Sequence, residues 1–264
     1  MTKDNKITNS FYSRFIKRCF DIFFSFLLII ILSVPLLVLF FLTLIFLGYP
    51  AIYKQPRPGK DHKIFFIYKF RSMNNKRDEN GNLLPDSQRI TKFGKFLRKS
   101  SLDELPQLFN ILKGDMSFVG PRPRLVKDMV FYDKTAYDAY VVKPGLTGPT
   151  QTTGRNQNTW QQVFEKDIAY SQNITFFNDM AIIFKTFTAV LKTSGETHSN
   201  TEENKPYHHE YYYCDYLLRT EKITKEQYDK GIEIARTLRK AKLKINYFPE
   251  LTDEKLFKER KKTQ

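Results

Sequence analysis

The chain has 264 residues, with 43 Lys and Arg against 28 Asp and Glu, a formal net charge of +15. That length allows one domain plus an appendage, and that charge calls for an anionic partner: nucleic acid, anionic lipid or a phosphorylated substrate. The chain holds 24 Phe but a single Trp, and with so much Lys it suits a membrane interface better than a soluble nucleic-acid binder. No helix-turn-helix, zinc-finger or RNA-binding signature is present, so nucleic acid is excluded as a partner.

In chain order, the first element is an apolar run from Ile22 to Leu47 without a charged residue. A bilayer needs about 20 apolar residues, so a spanning helix is the plain reading. The run exceeds a signal-peptide core and no small-residue cleavage site follows it. Two features favour a re-entrant helix instead. Ser33-Val34-Pro35 interrupts the run, and proline removes a backbone donor and kinks a helix; Ser33 is placed to satisfy a freed carbonyl. Cations flank both ends: Arg14, Lys17 and Arg18 before, Lys54, Arg57, Lys60 and Lys63 after. The positive-inside rule wants both ends on one face. Lys17 and Asp21, four residues apart, share a helix face. They make either a surface ion pair or a polar latch that offers cations to a lipid phosphate. Cys19 and Cys214 lack metal or disulfide-framework spacing and read as free thiols in a reducing compartment.

Lys63 to Met73 reads as a strand from its aromatic and β-branched content, and Asp78 to Asn82 as a turn. Arg89 to Lys99 is a basic amphipathic helix with Phe93, Phe96 and Leu97 on one side. It either lies on an anionic membrane or packs on a core. The next helix carries Leu105, Leu108, Phe109 and Leu112 at helical spacing, and Ser101 three residues before Glu104 matches a capping box. Asp103 and Glu104 at its start have two readings. Acidic residues favour first turns because of the helix dipole. A helix N-terminus also gathers phosphate oxygens, and a carboxylate beside Mg²⁺ can attack phosphorus.

Gly114, Gly120, Pro121 and Pro123 shape the following loop, and Arg122 between the prolines suits bidentate phosphate contacts. Lys143 to Gly148 is a further turn with a cation, and Gly154-Arg155-Asn156 follows. Arg124 and Arg155 either add positive field or are solvated. Ile174 to Leu191 is a Phe-rich helix whose face meets either lipid or the rest of the domain. After Gly195 a polar stretch, Glu196 to Pro206, leads to a Tyr-rich run and a charged helical pattern through about Lys244. His208, His209 and Glu210 are read as surface residues in preference to a metal site.

Taken together, these residues resemble the bacterial sugar transferase family, the monotopic phosphoglycosyltransferases, from about Phe15 to Gly195. The motifs are Lys17-Arg18…Asp21, Gln55-x-Arg57-Pro58-Gly59, Tyr68 to Met73, Ser101 to Leu108, Gly114 to Pro123 and Lys143 to Gly148. The small, single-domain branch is the nearest match. The resemblance implies transfer of a phosphosugar from a UDP-sugar to polyprenyl phosphate, with UMP released and a polyprenyl-diphosphate-sugar formed. This opens glycoconjugate biosynthesis. It implies Asp103 as the nucleophile of a covalent phosphosugar intermediate, and Glu104 as its assistant in Mg²⁺ binding or proton handling. Arg122, with Pro121 and Pro123, would hold phosphate or nucleotide, and Arg98 and Lys69 would touch phosphate. Lys17, Arg18, Asp21, Ser33 and Pro35 would form the lipid interface. Mg²⁺ is the implied cofactor, held by Asp103 and Glu104.

The expected fold is α+β: a monotopic membrane protein with a re-entrant helix, interfacial amphipathic helices and a small catalytic domain on the cytoplasmic face of the inner membrane. Expected divisions are an N-terminal segment 1–20, a re-entrant helix 21–48, a catalytic domain 49–195 and a C-terminal appendage 196–264 outside the resemblance. Homo-oligomers or pathway glycosyltransferases are candidate partners. The sequence departs from the family at Val34, which separates Ser33 from Pro35 where the family has Ser-Pro. A non-catalytic membrane scaffold for glycan assembly is the alternative function.

Overall fold

The computed structural model describes residues 10–152, 158–193, 212–241 and 243–251. Gly154, Arg155, Asn156, the Glu196–Pro206 stretch and the His208-His209-Glu210 run lie outside the described residues. In chain order the elements are α1 (Lys17–Ile31), α2 (Ser33–Leu47), β1 (Ile52–Pro58), β2 (Ile64–Phe70), α3 (Asp86–Arg89), α4 (Lys92–Lys99) and α5 (Gln107–Lys113). Then come β3 (Ser117–Val119), α6 (Val126–Met129), α7 (Lys134–Ala139), β4 (Gly145–Thr147), α8 (Trp160–Gln172), α9 (Phe176–Thr193), α10 (Tyr213–Arg219) and α11 (Lys225–Ala241). The mixed helix-and-strand class is as expected. β1 pairs with β2. β3 pairs with β4 in parallel, Ser117 opposite Gly145 and Val119 opposite Thr147. Parallel strands need a long crossover, here supplied by α6 and α7.

Contacts divide the chain into two compact units. One comprises the described parts of Met1–Cys19, Pro56–Phe65 and Asp115–Gln264; the other comprises Phe20–Gln55 and Phe66–Gly114.

In the second unit the apolar run is bent, not straight. The helix Tyr12–Ile31 and α2 meet at 66°, and among the described residues no single helix is long and apolar enough to cross a membrane. The break falls at Leu32 (φ −91°, ψ 9°), just before the expected Ser33–Pro35. Pro35 has no N–H to give the carbonyl one turn back. It is tolerated because it sits in the first turn of a new helix, where donors lack intrahelical partners. Ser33 is exposed there. Most apolar side chains of the pair are exposed, Val34, Leu37, Phe41 and Ile45 among them, while Leu39 turns inward to join Phe70 and Leu97 in a small core.

Arg89 to Lys99 is not one helix. α4 begins at Lys92, capped by Thr91, whose Oγ1 accepts the Gly94 N–H at 3.0 Å. Leu97 is fully buried, whereas Phe96 is exposed. A Cβ on Gly94 would stand 1.8 Å from the Ser72 carbonyl oxygen, so only glycine lets α4 lie on that backbone. α5 buries Gln107, Leu108, Asn110 and Ile111. The expected apolar face is therefore rotated: Phe109 is exposed, and Ile111 takes the inward position.

The first unit has the larger core. Phe131, Tyr132, Phe164, Tyr213 and Leu217 are among its buried members. Rings meet edge-to-face, Tyr132 on Phe164 at 4.9 Å and Phe164 on Tyr213 at 5.0 Å. Such pairs contribute roughly 0.5–1.5 kcal/mol each beyond burial. α8 enters this core behind a Thr159–Gln162 capping box. The helical pattern expected through about Lys244 forms α10 and α11, which contribute Cys214, Leu217, Ala235 and Leu238 to the same core. The Phe-rich helix forms as α9. It buries Asp179 and Ile182 and exposes Phe177, Phe184 and Phe187.

Candidate active site

The acidic pair sits on a single 3₁₀ turn, Leu102–Glu104, ahead of α5. The expected capping box does not form. Ser101 adopts a left-handed backbone (φ 57°) and its side chain does not cap the turn. Pro106 then separates this turn from α5, whose first residue is Gln107. A non-glycine residue in that region costs on the order of 1–3 kcal/mol and persists only when its surroundings hold it. Asp103 is buried, at 8% exposure. Glu104 turns to β2, where the Lys69 ammonium lies 2.8 Å from its carboxylate; both side chains are mostly shielded from solvent.

This pairing is set by backbone architecture. Asn110 in α5 is fully buried. Its Oδ1 accepts the Tyr68 N–H at 3.0 Å and its Nδ2 donates to the Phe66 carbonyl at 2.7 Å. One side chain thus clamps the helix after the acidic turn to both sides of a strand position next to Lys69. The sequence reading assigned Asn110 no role; the signal was a polar residue on the buried face of a short helix. Arg98 is reached through Gly94: once α4 rests on Ser72, the Arg98 Nε donates to Ser72 Oγ at 2.8 Å. Asp103, Glu104, Lys69 and Arg98 therefore all belong to one unit.

Arg122, Pro121 and Pro123 belong to the other unit. The loop leaves β3 at Gly120, where a Cβ would stand 2.4 Å from the Lys143 carbonyl oxygen. The Gly120 N–H donates to Thr147 at 3.0 Å and the Gly145 N–H to Pro121 at 3.0 Å. A cleft here is lined by Pro58, Gly59, Pro121, Arg122, Arg124 and Tyr140. Arg57, read from sequence as a membrane-flanking cation, donates from Nη1 to the Pro123 carbonyl at 3.0 Å.

Arg124 is not solvated. It is 7% exposed, and its guanidinium lies 5.2 Å from the Trp160 ring centre. Burial opposes its charge, and Tyr140 and Asp167 outweigh that, holding its pKa above the ordinary value. Asp167 is fully buried and accepts a hydrogen bond from the Tyr140 hydroxyl. Burial raises its pKa to about 6, against the opposing pull of Arg124 and Tyr140. In the sequence Asp167 looks like any helix carboxylate, and no motif marks it.

The expected Lys17–Asp21 pair is replaced. Lys17 forms its ion pair with Asp179 of α9. Asp179 is 1% exposed and also accepts from Tyr12 at 2.7 Å and Tyr170 at 2.7 Å. Asp179 gathers three donors from three different segments into one buried network, in which each contact is strengthened by the others. Asp21 is buried, and its carbonyl accepts the Ser25 hydroxyl at 2.5 Å. Arg18 is half-buried. Both cysteines are free, Cys19 exposed and Cys214 buried.

The chain belongs to the bacterial sugar transferase family, whose model matches residues 12–193. It is 44% identical over 185 residues to an uncharacterized sugar transferase, EpsL, of Bacillus subtilis, covering 70% of this chain and 92% of that protein. It is 42% identical over 200 residues to the undecaprenyl-phosphate galactose phosphotransferase of Salmonella typhimurium, covering 69% of this chain and 42% of the relative. A UDP-galactose-lipid carrier transferase of Erwinia amylovora is 39% identical over 201 residues, with 69% and 42% covered. The chain thus spans less than half the length of the latter two.

Proposed function

We propose that this sugar transferase moves a phosphosugar from a UDP-sugar to polyprenyl phosphate. The observation that carries the reading is the buried Asp103 beside a Glu104 whose charge is already partnered by Lys69. In the proposed reaction an Asp103 carboxylate oxygen attacks the phosphorus that bears the sugar. The bond to the UMP oxygen breaks, and UMP leaves with the electron pair. An oxygen of polyprenyl phosphate then attacks the same phosphorus, the Asp103–phosphorus bond breaks and the carboxylate is regenerated. Arg122 holds the diphosphate, its direction limited by the flanking prolines, and Lys69 and Arg98 offset further negative charge.

Among the described residues no group of three or more His, Cys, Asp or Glu forms a metal cage. Asp103 and the Glu104 oxygen not held by Lys69 offer the donor chemistry of Mg²⁺, which takes one or two carboxylates and completes its shell with phosphates and water. Bound there, Mg²⁺ would neutralise diphosphate charge.

We also propose that the bent helix pair enters the cytoplasmic face of the cell membrane and returns. The uncharged part of the first arm, residues 22–31, is about 15 Å long and α2 about 22 Å, each short of a hydrocarbon core of about 30 Å. Exposed apolar side chains on the pair support this placement.

The test is UMP release from a panel of UDP-sugars with purified protein, polyprenyl phosphate and Mg²⁺. Release with one donor, abolished by chelator and by Asp103→Asn, is the expected result. Release that survives Asp103→Asn sinks the nucleophile, and no release from membrane-bound wild type with any donor favours the scaffold.

A further inference from the structure

We infer that the C-terminal segment, which lies beyond the family match, is a positioning element for the arginine loop. The match ends at residue 193, yet residues 212–241 and 243–251 hold both walls of the cleft that Arg122 and Arg124 line.

The first wall is the loop itself. It runs through Leu125 directly into α6, and α6 is gripped by the C-terminal helices. Asp128, at 2% exposure, accepts the Cys214 N–H at 3.3 Å. Lys127 pairs with Asp215 at 3.5 Å and stands 3.5 Å from the Tyr212 ring centre. The Tyr228 hydroxyl donates to Asp215 at 2.7 Å, tying α11 to the same joint. One turn on, a Cβ on Gly231 would stand 2.2 Å from the Phe131 ring. α11 therefore sits as near to the segment after α6 as a helix backbone allows.

The second wall is the end of β1 and the turn after it, which provide Pro58 and Gly59. His62 closes this turn, buried and stacked on Tyr137 at 3.8 Å between ring centres. The Ile245 N–H donates to the His62 carbonyl at 3.0 Å, and the Tyr137 hydroxyl donates to the Ile245 carbonyl at 2.8 Å. Arg57, just ahead of this turn, donates to Pro123 in the first wall. The walls are thus joined directly at Arg57 and indirectly through one C-terminal segment.

Backbone held at both ends by proline and by buried joints transmits small shifts instead of absorbing them. A displacement of α6 moves Arg124 and, through Pro123, Arg122. Positioning errors of about 1 Å cost up to about 100-fold in a reaction that depends on alignment. The buried Asp128 and the half-buried Asp215 are accordingly positioning residues that touch no substrate.

The kinetic part of this inference rests on the phosphosugar-transfer reading; the structural part does not. Full-length Asp128→Ala is compared with wild type and with Asp128→Asn, whose amide oxygen can still accept the Cys214 N–H. Asp215→Ala takes its place if Asp128→Ala does not fold. Backbone amide exchange is followed in residues 117–124, with α8 as the internal reference. The expected result is exchange on the order of tenfold faster in 117–124, α8 unchanged, and recovery in Asp128→Asn. The donor KM should rise roughly fivefold while kcat stays within about twofold. Unchanged exchange in 117–124, or equal acceleration of α8, overturns the inference, as does faster exchange with an unaltered donor KM in an active enzyme. Wild type that releases no UMP from any donor instead sinks the transfer reading, and the exchange result then decides the positioning role alone.

Discussion

The acidic turn and the arginine loop are held in opposite ways. Asp103 and Glu104 ride on a three-residue 3₁₀ turn entered through a left-handed Ser101. Among the contacts that hold them are the Lys69 ion pair, the Asn110 clamp and the buried side chains of Leu97, Leu108 and Ile111. The arginine loop has a proline on each side of Arg122, and its Arg124 is buried against Trp160. Its unit has a large aromatic core. Under the proposed reaction, a carboxylate that forms and breaks a bond to phosphorus must exchange partners during each cycle. A cation that fixes a diphosphate works best when it does not move, since preorganised charge needs no rearrangement as the reaction proceeds.

The widest separation between the two regions is expected from chemistry. Asp103→Asn should lower UMP release by at least about a thousandfold, with the thermal midpoint and membrane partitioning unchanged. A parallel fall in the midpoint would mean that the acidic turn is a structural joint like the arginine loop. Next comes Gly94→Val, which forces α4 off the Ser72 carbonyl and should cost about 3 kcal/mol in urea unfolding. It should also release Arg98 from Ser72. A loss below about 1 kcal/mol would show that the packing under α4 adjusts freely.

These contrasts were unequally legible in the sequence. The bent apolar run, β2, α4, α9 and the C-terminal helices follow from periodicity and composition, because each depends on residues close in the chain. Asp103, Glu104 and Arg122 were singled out by local motif. What the sequence concealed was partner choice across long separations. Lys17 offers a neighbour at Asp21, but the buried Asp179 takes it. Ser101 and Glu104 have capping-box spacing, but Lys69 draws Glu104 away and the backbone turns left-handed. Arg57 and Arg124 look like surface cations until Pro123 and Trp160 are brought to them. Local propensity proposes such pairs, and burial chooses among them.

The buried carboxylate behind the arginine loop sharpens the comparison through pH. Asp167 has its pKa raised by burial from 3.8 to about 6. Between these values the folded state binds more protons than the unfolded one, so its contribution to stability falls as pH rises from about 4 to 6 and is level above that. The size is on the order of 2–3 kcal/mol. Urea titrations read by Trp160 fluorescence should show this slope in wild type, and Asp167→Asn should flatten it. Identical slopes in the two proteins would mean that Asp167 is already ionised at pH 4 and that Arg124 has a permanent counter-charge.

The smallest expected effect tests whether the acidic turn is adjustable. The Lys69–Glu104 pair is shielded but not sealed, with side-chain exposures of 19% and 17%. Replacing Lys69 by Met removes the charge and keeps most of the apolar stem. In a rigid buried site, a Glu104 deprived of a needed counter-charge would destabilise the fold by about 3–5 kcal/mol. On an adjustable turn, Glu104 instead rotates toward water, and the loss falls on the proposed reaction, in which Lys69 is assigned to offset diphosphate charge. Lys69→Met should therefore lower kcat roughly tenfold, an energy of about 1.4 kcal/mol, with less than about 1 kcal/mol lost in urea unfolding. Lys69→Arg should recover much of the rate, because charge is what the site requires there. A large stability loss with little change in kcat would reverse the assignment: Lys69 would then be the structural counterpart of Arg124, and the two regions would be held alike.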